Sequence, residues 1–128
     1  MDTNKWGKHG WIFLHYITFN YPDNPTQNDI DNYYTFFDSL KHTLPCNLCK
    51  VNYSNHLYKH SLLKGLKNKK SLIKWLIDVH NETNKLLNKP VLSYEKALCK
   101  LDKCDNNYNI YYILVILSII FFLYKLKY

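Results

Sequence analysis

The chain has 128 residues, 17 lysines, no arginine and ten acidic residues, for a formal net charge of +7. That length suits one compact domain. The lysines are scattered and cluster only in the segment Lys67 to Lys70. This argues against nucleic-acid recognition, which uses a focused patch with arginines. The opening MDTNKWGKHG is charged and polar, unlike a secretory leader. Its four cysteines therefore point to catalytic or metal-binding use over a secreted disulfide scaffold. Asn, Lys, Ile and Tyr are abundant, and their A/T-rich codons hint at the genome of a large DNA virus or a parasite.

In chain order, the first predicted helix covers about residues 5–19 and carries Trp6, Trp11, Phe13, Leu14 and Ile17. The run NYPDNPT breaks it. Thr26 with Asp29 three residues on forms a capping-box variant that starts a second helix. Ile30, Tyr33, Tyr34, Phe37 and Leu40 then fall at helical spacing. Pro45 suits the first turn of a third helix reaching about His60. The lysine-rich KGLKNKK links to a fourth helix, about residues 71–87, with Leu72, Leu76, Val79 and Leu86 on one side and Pro90 as its stop. A short fifth helix, SYEKALCKL, follows. The expected class is all-α: a four-helix bundle with a short fifth helix, plus a C-terminal transmembrane helix.

The last segment sets that final expectation. Between Asn106 and Tyr124 there is no charge. As a helix this stretch is roughly 28 Å long, against about 30 Å of hydrocarbon core. Tyr111, Tyr112, Tyr124 and Tyr128 suit the membrane interfaces. The expected division is a soluble domain over 1–105 and a membrane anchor over 106–128. A soluble part of roughly a hundred residues gains from a bound cofactor or a dimer.

The cysteines form two close pairs, Cys46/Cys49 and Cys99/Cys104. A Cys-x-x-Cys can be a redox pair, half of a zinc site, or two buried thiols. CNLCKVNYSNHLYKH has the residue types for zinc. On one continuous helix, though, Cys49 and His56 stand about 10 Å apart along the axis, too far for ligands that must lie within about 2.3 Å of one ion. No strand precedes Pro45, which removes the thioredoxin-like setting. At a helix N-terminus a Cys pair is chemically suited to redox work, because the partial positive charge stabilises thiolate. Net oxidation of substrate thiols then needs a separate electron sink.

Three motifs supply a candidate for that sink. They are Gly7-Lys8-x-x-Trp11-x-x-x-His15, Pro45-Cys46-x-x-Cys49, and Trp75-x4-His80-Asn81-x-x-Asn84-x4-Lys89-Pro90. In this order and combination they resemble the FAD-linked sulfhydryl oxidases of the ERV/ALR family, over nearly all of residues 6–90. The resemblance implies a four-helix bundle cradling FAD, with a short fifth helix, usually as a homodimer. It implies that Cys49 lies against the flavin and that Cys46 exchanges with the incoming thiol. It gives Trp11 and His15, preceded by Gly7 and Lys8, a cofactor-contacting role. Trp75, His80, Asn81, Asn84 and Lys89 would bind the adenine, ribose and phosphate side. Tyr53 takes the place of a common aromatic one turn after the pair.

The chain departs from the family at three points. Ile77 and Tyr94 stand where the family commonly places a structural disulfide, so apolar packing is expected there. Thr83 replaces the usual valine before the second Asn. Cys99 and Cys104 are a shuttle pair carrying oxidising equivalents from Cys46 to substrate, a local structural disulfide, or free thiols. The implied activity is FAD-dependent oxidation of thiol-containing protein substrates, 2 R-SH + O2 giving R-S-S-R + H2O2. No metal is called for. The implied setting is a single-pass tail anchor with the catalytic domain cytosolic, in a virion or host endomembrane. The rival is a non-catalytic, zinc-stabilised membrane adaptor.

Overall fold

The computed structural model describes residues 2–101 and 107–127, with side chains of the last helix described over 112–125. Every regular element among the described residues is α-helical. The chain divides into two compact units, Met1–Ala97 and Leu98–Tyr128.

The first unit is built on α1 (Thr3–Phe19), α2 (Gln27–Thr43), α3 (Asn47–Lys59) and, after the single turn α4 (Leu62–Gly65), α5 (Lys69–Leu86). The expected KGLKNKK linker is thus partly helical. Each long helix starts on a side-chain cap. Asp2 accepts from the amide of Asn4, Thr26 from Asp29, and Asn68 from Ser71. The Thr26–Asp29 box is reciprocal, since the Asp29 carboxylate accepts from the Thr26 amide at 2.8 Å. Such caps satisfy amide groups that the helix itself leaves unpaired. In α3 the cap is Cys46, so the helix begins at Asn47, two residues after Pro45, and the proline lies outside it.

The core forms where these helices converge. Phe37 from α2, Tyr53 from α3, and Leu72, Trp75, Leu76 and Val79 from α5 are all buried. α5 packs against α1, α3 and α4. Buried polar tips find backbone partners: Tyr21 donates to the carbonyl of Leu66 at 2.8 Å, Tyr53 to Phe37 at 2.9 Å, and the indole of Trp75 to His60 at 2.9 Å. Gly65 has a packing reason. A Cβ there would stand 2.8 Å from Cβ of Trp75, so only glycine lets α4 approach α5 this closely. Leu86, grouped by periodicity with the buried side of α5, is instead 57 % exposed.

α5 ends in a Schellman motif. Asn88 takes a left-handed conformation at φ 52°. The amides of Asn88 and Lys89 bond back to the carbonyls of Lys85 and Asn84 at 3.2 and 2.8 Å. The helix therefore stops before Pro90 is reached. α6 (Tyr94–Leu101) follows, with Ala97 buried.

In the second unit, α7 (Asn107–Lys127) covers the apolar C-terminal run. Its described side chains, over 112–125, are all exposed. Among the described residues no helix is long and apolar enough to cross a membrane.

Candidate active site

Cys46 and Cys49 are joined by a disulfide at the N-terminus of α3. Both are half-buried, and Leu48 between them is exposed. The Cys46 sulfur accepts from the Cys49 amide at 3.2 Å. This sulfur does the work that Ser or Asp does in an ordinary N-cap. On reduction, the same amide and the helix end would stabilise negative charge on Cys46. The local sequence makes this possible, because a proline-led turn delivers Cys46 in extended conformation and the helix begins at once.

A second cluster joins α1 to α5. The rings of Trp11 and His80 stack with centroids 4.0 Å apart and planes 5° from parallel. Nε2 of His15 lies 3.1 Å from Nδ1 of His80. Trp11 and His15, one turn apart on α1, thus both engage His80 on α5. His15 is 2 % exposed, and desolvation pulls its pKa down to about 4, so it is neutral near pH 7. Its Nδ1 is buried with no partner among the described residues.

The other residues singled out by sequence occupy varied settings. Trp75 and Tyr53 are core residues with satisfied polar tips. Burial raises the Tyr53 phenol above its ordinary range. Asn81 pairs its side-chain amide with the backbone of Leu92 in both directions, at 2.9 and 3.1 Å, and so pins the chain that leads into α6. Asn84 is half-buried and its carbonyl receives the Lys89 amide. Lys8 and Lys89 are exposed. Gly7 sits inside α1, and a Cβ there would meet nothing within 4 Å. Ile77 is buried, 4 % exposed. Cys99 is exposed and disulfide-bonded. Cys104 lies outside the described residues.

Sequence reasoning weighed His56 only as a zinc ligand. Among the described residues no group of three or more His, Cys, Asp or Glu is placed to hold a metal. His56 is instead 4 % exposed, with Nε2 3.4 Å from the Thr83 hydroxyl and Nδ1 buried without a partner among the described residues. Burial lowers its pKa. The signal was present in the spacing, since Cys49, Tyr53 and His56 share one face of α3. Near His56, Glu82 binds Lys85 at 2.6 Å and Lys59 at 3.0 Å, tying α3 to α5. These bonds draw the Glu82 carboxyl down to about 2.

The chain is similar to known proteins over most of its length. It is 41 % identical over 104 residues to a probable FAD-linked sulfhydryl oxidase of Acanthamoeba polyphaga mimivirus, covering 80 % of this chain and 73 % of that one. It is 27 % identical over 89 residues to the mitochondrial FAD-linked sulfhydryl oxidase ERV1 of Saccharomyces cerevisiae, covering 70 % of this chain but only 46 % of the yeast protein. The chain thus spans about half the length of that relative. In fold it matches the crystal structure of the FAD binding domain of yeast Erv1, with a TM-score of 0.73 at 24 % identity, over 80 % of this chain and 96 % of that one. The Erv1/Alr family model matches residues 8–107, and the chain belongs to the Erv1/Alr family.

Proposed function

We propose that this chain is a FAD-linked sulfhydryl oxidase that forms disulfides in protein substrates. The observation that carries the reading is the Cys46–Cys49 disulfide capping α3 in a chain of the Erv1/Alr family.

The residues present fit FAD. Two buried imidazole nitrogens, Nδ1 of His15 and of His56, lack partners among the described residues, and a buried polar atom in that state calls for one. The space beside Gly7 is open, since a Cβ there would meet nothing within 4 Å. His15, His80, Trp11 and Asn84 would hold the cofactor, with Lys8 and Lys89 near its phosphates. When bound, FAD supplies the two-electron sink and the route to O2 that cysteines lack.

The protein's own chemistry is thiol–disulfide exchange. A substrate thiolate attacks the Cys46 sulfur, the Cys46–Cys49 bond breaks, and Cys49 leaves as thiolate. A second substrate thiolate then attacks the substrate sulfur of the mixed disulfide. The substrate disulfide forms and Cys46 leaves as thiolate, onto the Cys49 amide that already caps it at 3.2 Å. The N-cap thus favours the step that releases product. The two electrons now reside in the Cys46/Cys49 dithiol, with Cys49 the partner of the flavin.

Three finer readings accompany this. Cys99, exposed and in a disulfide, is a candidate shuttle with Cys104. Ile12, Phe13 and Tyr16 leave an apolar exposed strip on α1 that supports a homodimer. α7, 21 residues long and exposed and apolar where described, is the segment that would attach the chain to a membrane, although among the described residues no helix is long and apolar enough to cross one.

The deciding experiment is thiol-dependent oxygen consumption by the flavin-loaded protein and by Cys49→Ala. Wild type should consume oxygen and release peroxide, while Cys49→Ala should lose essentially all turnover yet keep its flavin. Equal consumption by both would sink the mechanism.

A further inference from the structure

α5 carries His80 and Thr83 three residues apart, and each meets a buried histidine from a different helix. On the α1 side, His15 directs Nε2 to His80 at 3.1 Å. On the α3 side, His56 places Nε2 3.4 Å from Oγ1 of Thr83. In both rings it is Nδ1 that is buried and without a partner among the described residues. Leaving such a group unpaired is costly, because it has lost its water and gained no partner. The family motifs account for His15, but His56 falls outside all of them, and Thr83 is itself a departure.

His56 lies two turns beyond Cys49 on the same face of α3, at a spacing of seven. It also lines a groove of about 500 Å³ between α3 and α5, whose walls carry the amides of Asn52 and Asn55 and the ammonium groups of Lys59 and Lys85, both paired with the Glu82 carboxylate that lines it too. That volume lies within the roughly 300–1,000 Å³ typical of cofactor and small-molecule pockets. The walls offer amide and ammonium N–H donors beside the Glu82 carboxylate, which suit the carbonyl and hydroxyl groups of a dinucleotide.

We propose that the His56/Thr83 pair is a further cofactor-holding element of this protein, with Nδ1 of His56 hydrogen-bonded to a polar group of the bound flavin dinucleotide. The inference rests on the oxidase reading. A neutral imidazole carries one ring proton. When the Thr83 hydroxyl donates to Nε2, that proton sits on Nδ1 and is available to a ligand oxygen. Thr83, where the family has valine, thus sets which nitrogen donates. His56 and Thr83 act on binding, at a distance from the sulfur chemistry.

The test is FAD affinity, read by quenching of flavin fluorescence on titrating apoprotein, for wild type, His56→Phe, His56→Gln and Thr83→Val. His56→Phe keeps the bulk and removes the polar atoms, and should weaken binding about tenfold, the loss of one buried hydrogen bond. His56→Gln, which can still donate, should recover most of that loss. The isosteric Thr83→Val should weaken binding by about threefold, and it serves as the test if His56→Phe does not fold. Wild-type affinity in His56→Phe or in Thr83→Val would overturn the proposal. So would equal losses in His56→Phe and His56→Gln, which would mean that His56 only packs. A wild-type protein that takes up no flavin would instead overturn the oxidase reading together with this one.

Discussion

α5 has two neighbours that it meets in different ways. Toward α1 the seam is made of rings: His80 stacks on Trp11 and bonds His15. Toward α3 the seam has a charged rim, Glu82 with Lys59 and Lys85, over a buried histidine and a groove. The first seam is built from desolvated aromatic contact, which is insensitive to salt. The second relies on ion pairs near water, which are individually weak, and its interior histidine, like His15 in the first, has one ring nitrogen without a partner among the described residues. One helix thus presents a ring-lined face and a charge-rimmed one, and the charge-rimmed one packs on the helix that carries the redox cysteines.

That contrast can be broken at several points. The largest effect comes from striking the core that both seams share. Leu76 is fully buried, and Leu76→Ala should cost about 2–5 kcal/mol, seen as a lower midpoint in urea unfolding. An unchanged midpoint would mean that the bundle closes without it.

Acid should open the α1 seam next. His15 has a pKa of about 4 in the folded protein against an ordinary 6.5. Between those values the unfolded chain binds a proton that the folded one refuses, so stability falls as pH drops through that window and then levels off. The loss is on the order of 3 kcal/mol for His15, and the lowered His56 adds to it in the same direction. His15→Phe should flatten this part of the stability–pH curve. A slope identical to wild type would exclude His15 as its source.

The α3 seam should respond differently. Glu82→Gln removes the anchor of Lys59 and Lys85 and should cost about 0.5 kcal/mol at low salt, with the difference vanishing at high salt. The Glu82 contribution is present above pH 4.5 and lost as the pH falls toward about 2, below the histidine window. Two separate acid transitions, one deleted by each variant, would confirm that the seams are electrostatically distinct. The smallest effect is a gain. Asn88 holds φ at 52°, so Asn88→Gly at the end of α5 should raise stability by a few tenths of a kcal/mol. A lower melting temperature would show that the Asn88 side chain contributes more than its backbone strain costs.

How much of this was legible in the sequence varies by residue. Thr26 and Asp29 announced their capping box, because a cap depends on neighbours three residues apart. The Trp11/His15 pairing on one face followed from helical periodicity. The order of the three motifs pointed to the family. The single turn α4 was hidden in a lysine-rich run, since its stability comes from Gly65 lying against Trp75. Asn81 read as a cofactor residue, but only the return of the chain at Leu92 reveals that its amide is already engaged. Leu86 kept the right period on α5, yet among the described residues nothing covers that last turn and it stays exposed.

By itself the sequence determined the all-helical class, the positions of the long helices and the proximity of Cys46 to Cys49, because periodicity, capping and a two-residue spacer are local. Tertiary structure alone decided which side chains meet across helices. It set His80 between Trp11 and His15, and it brought His56 to Thr83, 27 residues away. It also left two imidazole nitrogens buried and unpartnered among the described residues. Those outcomes depend on how helices distant in sequence pack together, and such long-range contacts are set by complementary shape and burial, which no local pattern encodes.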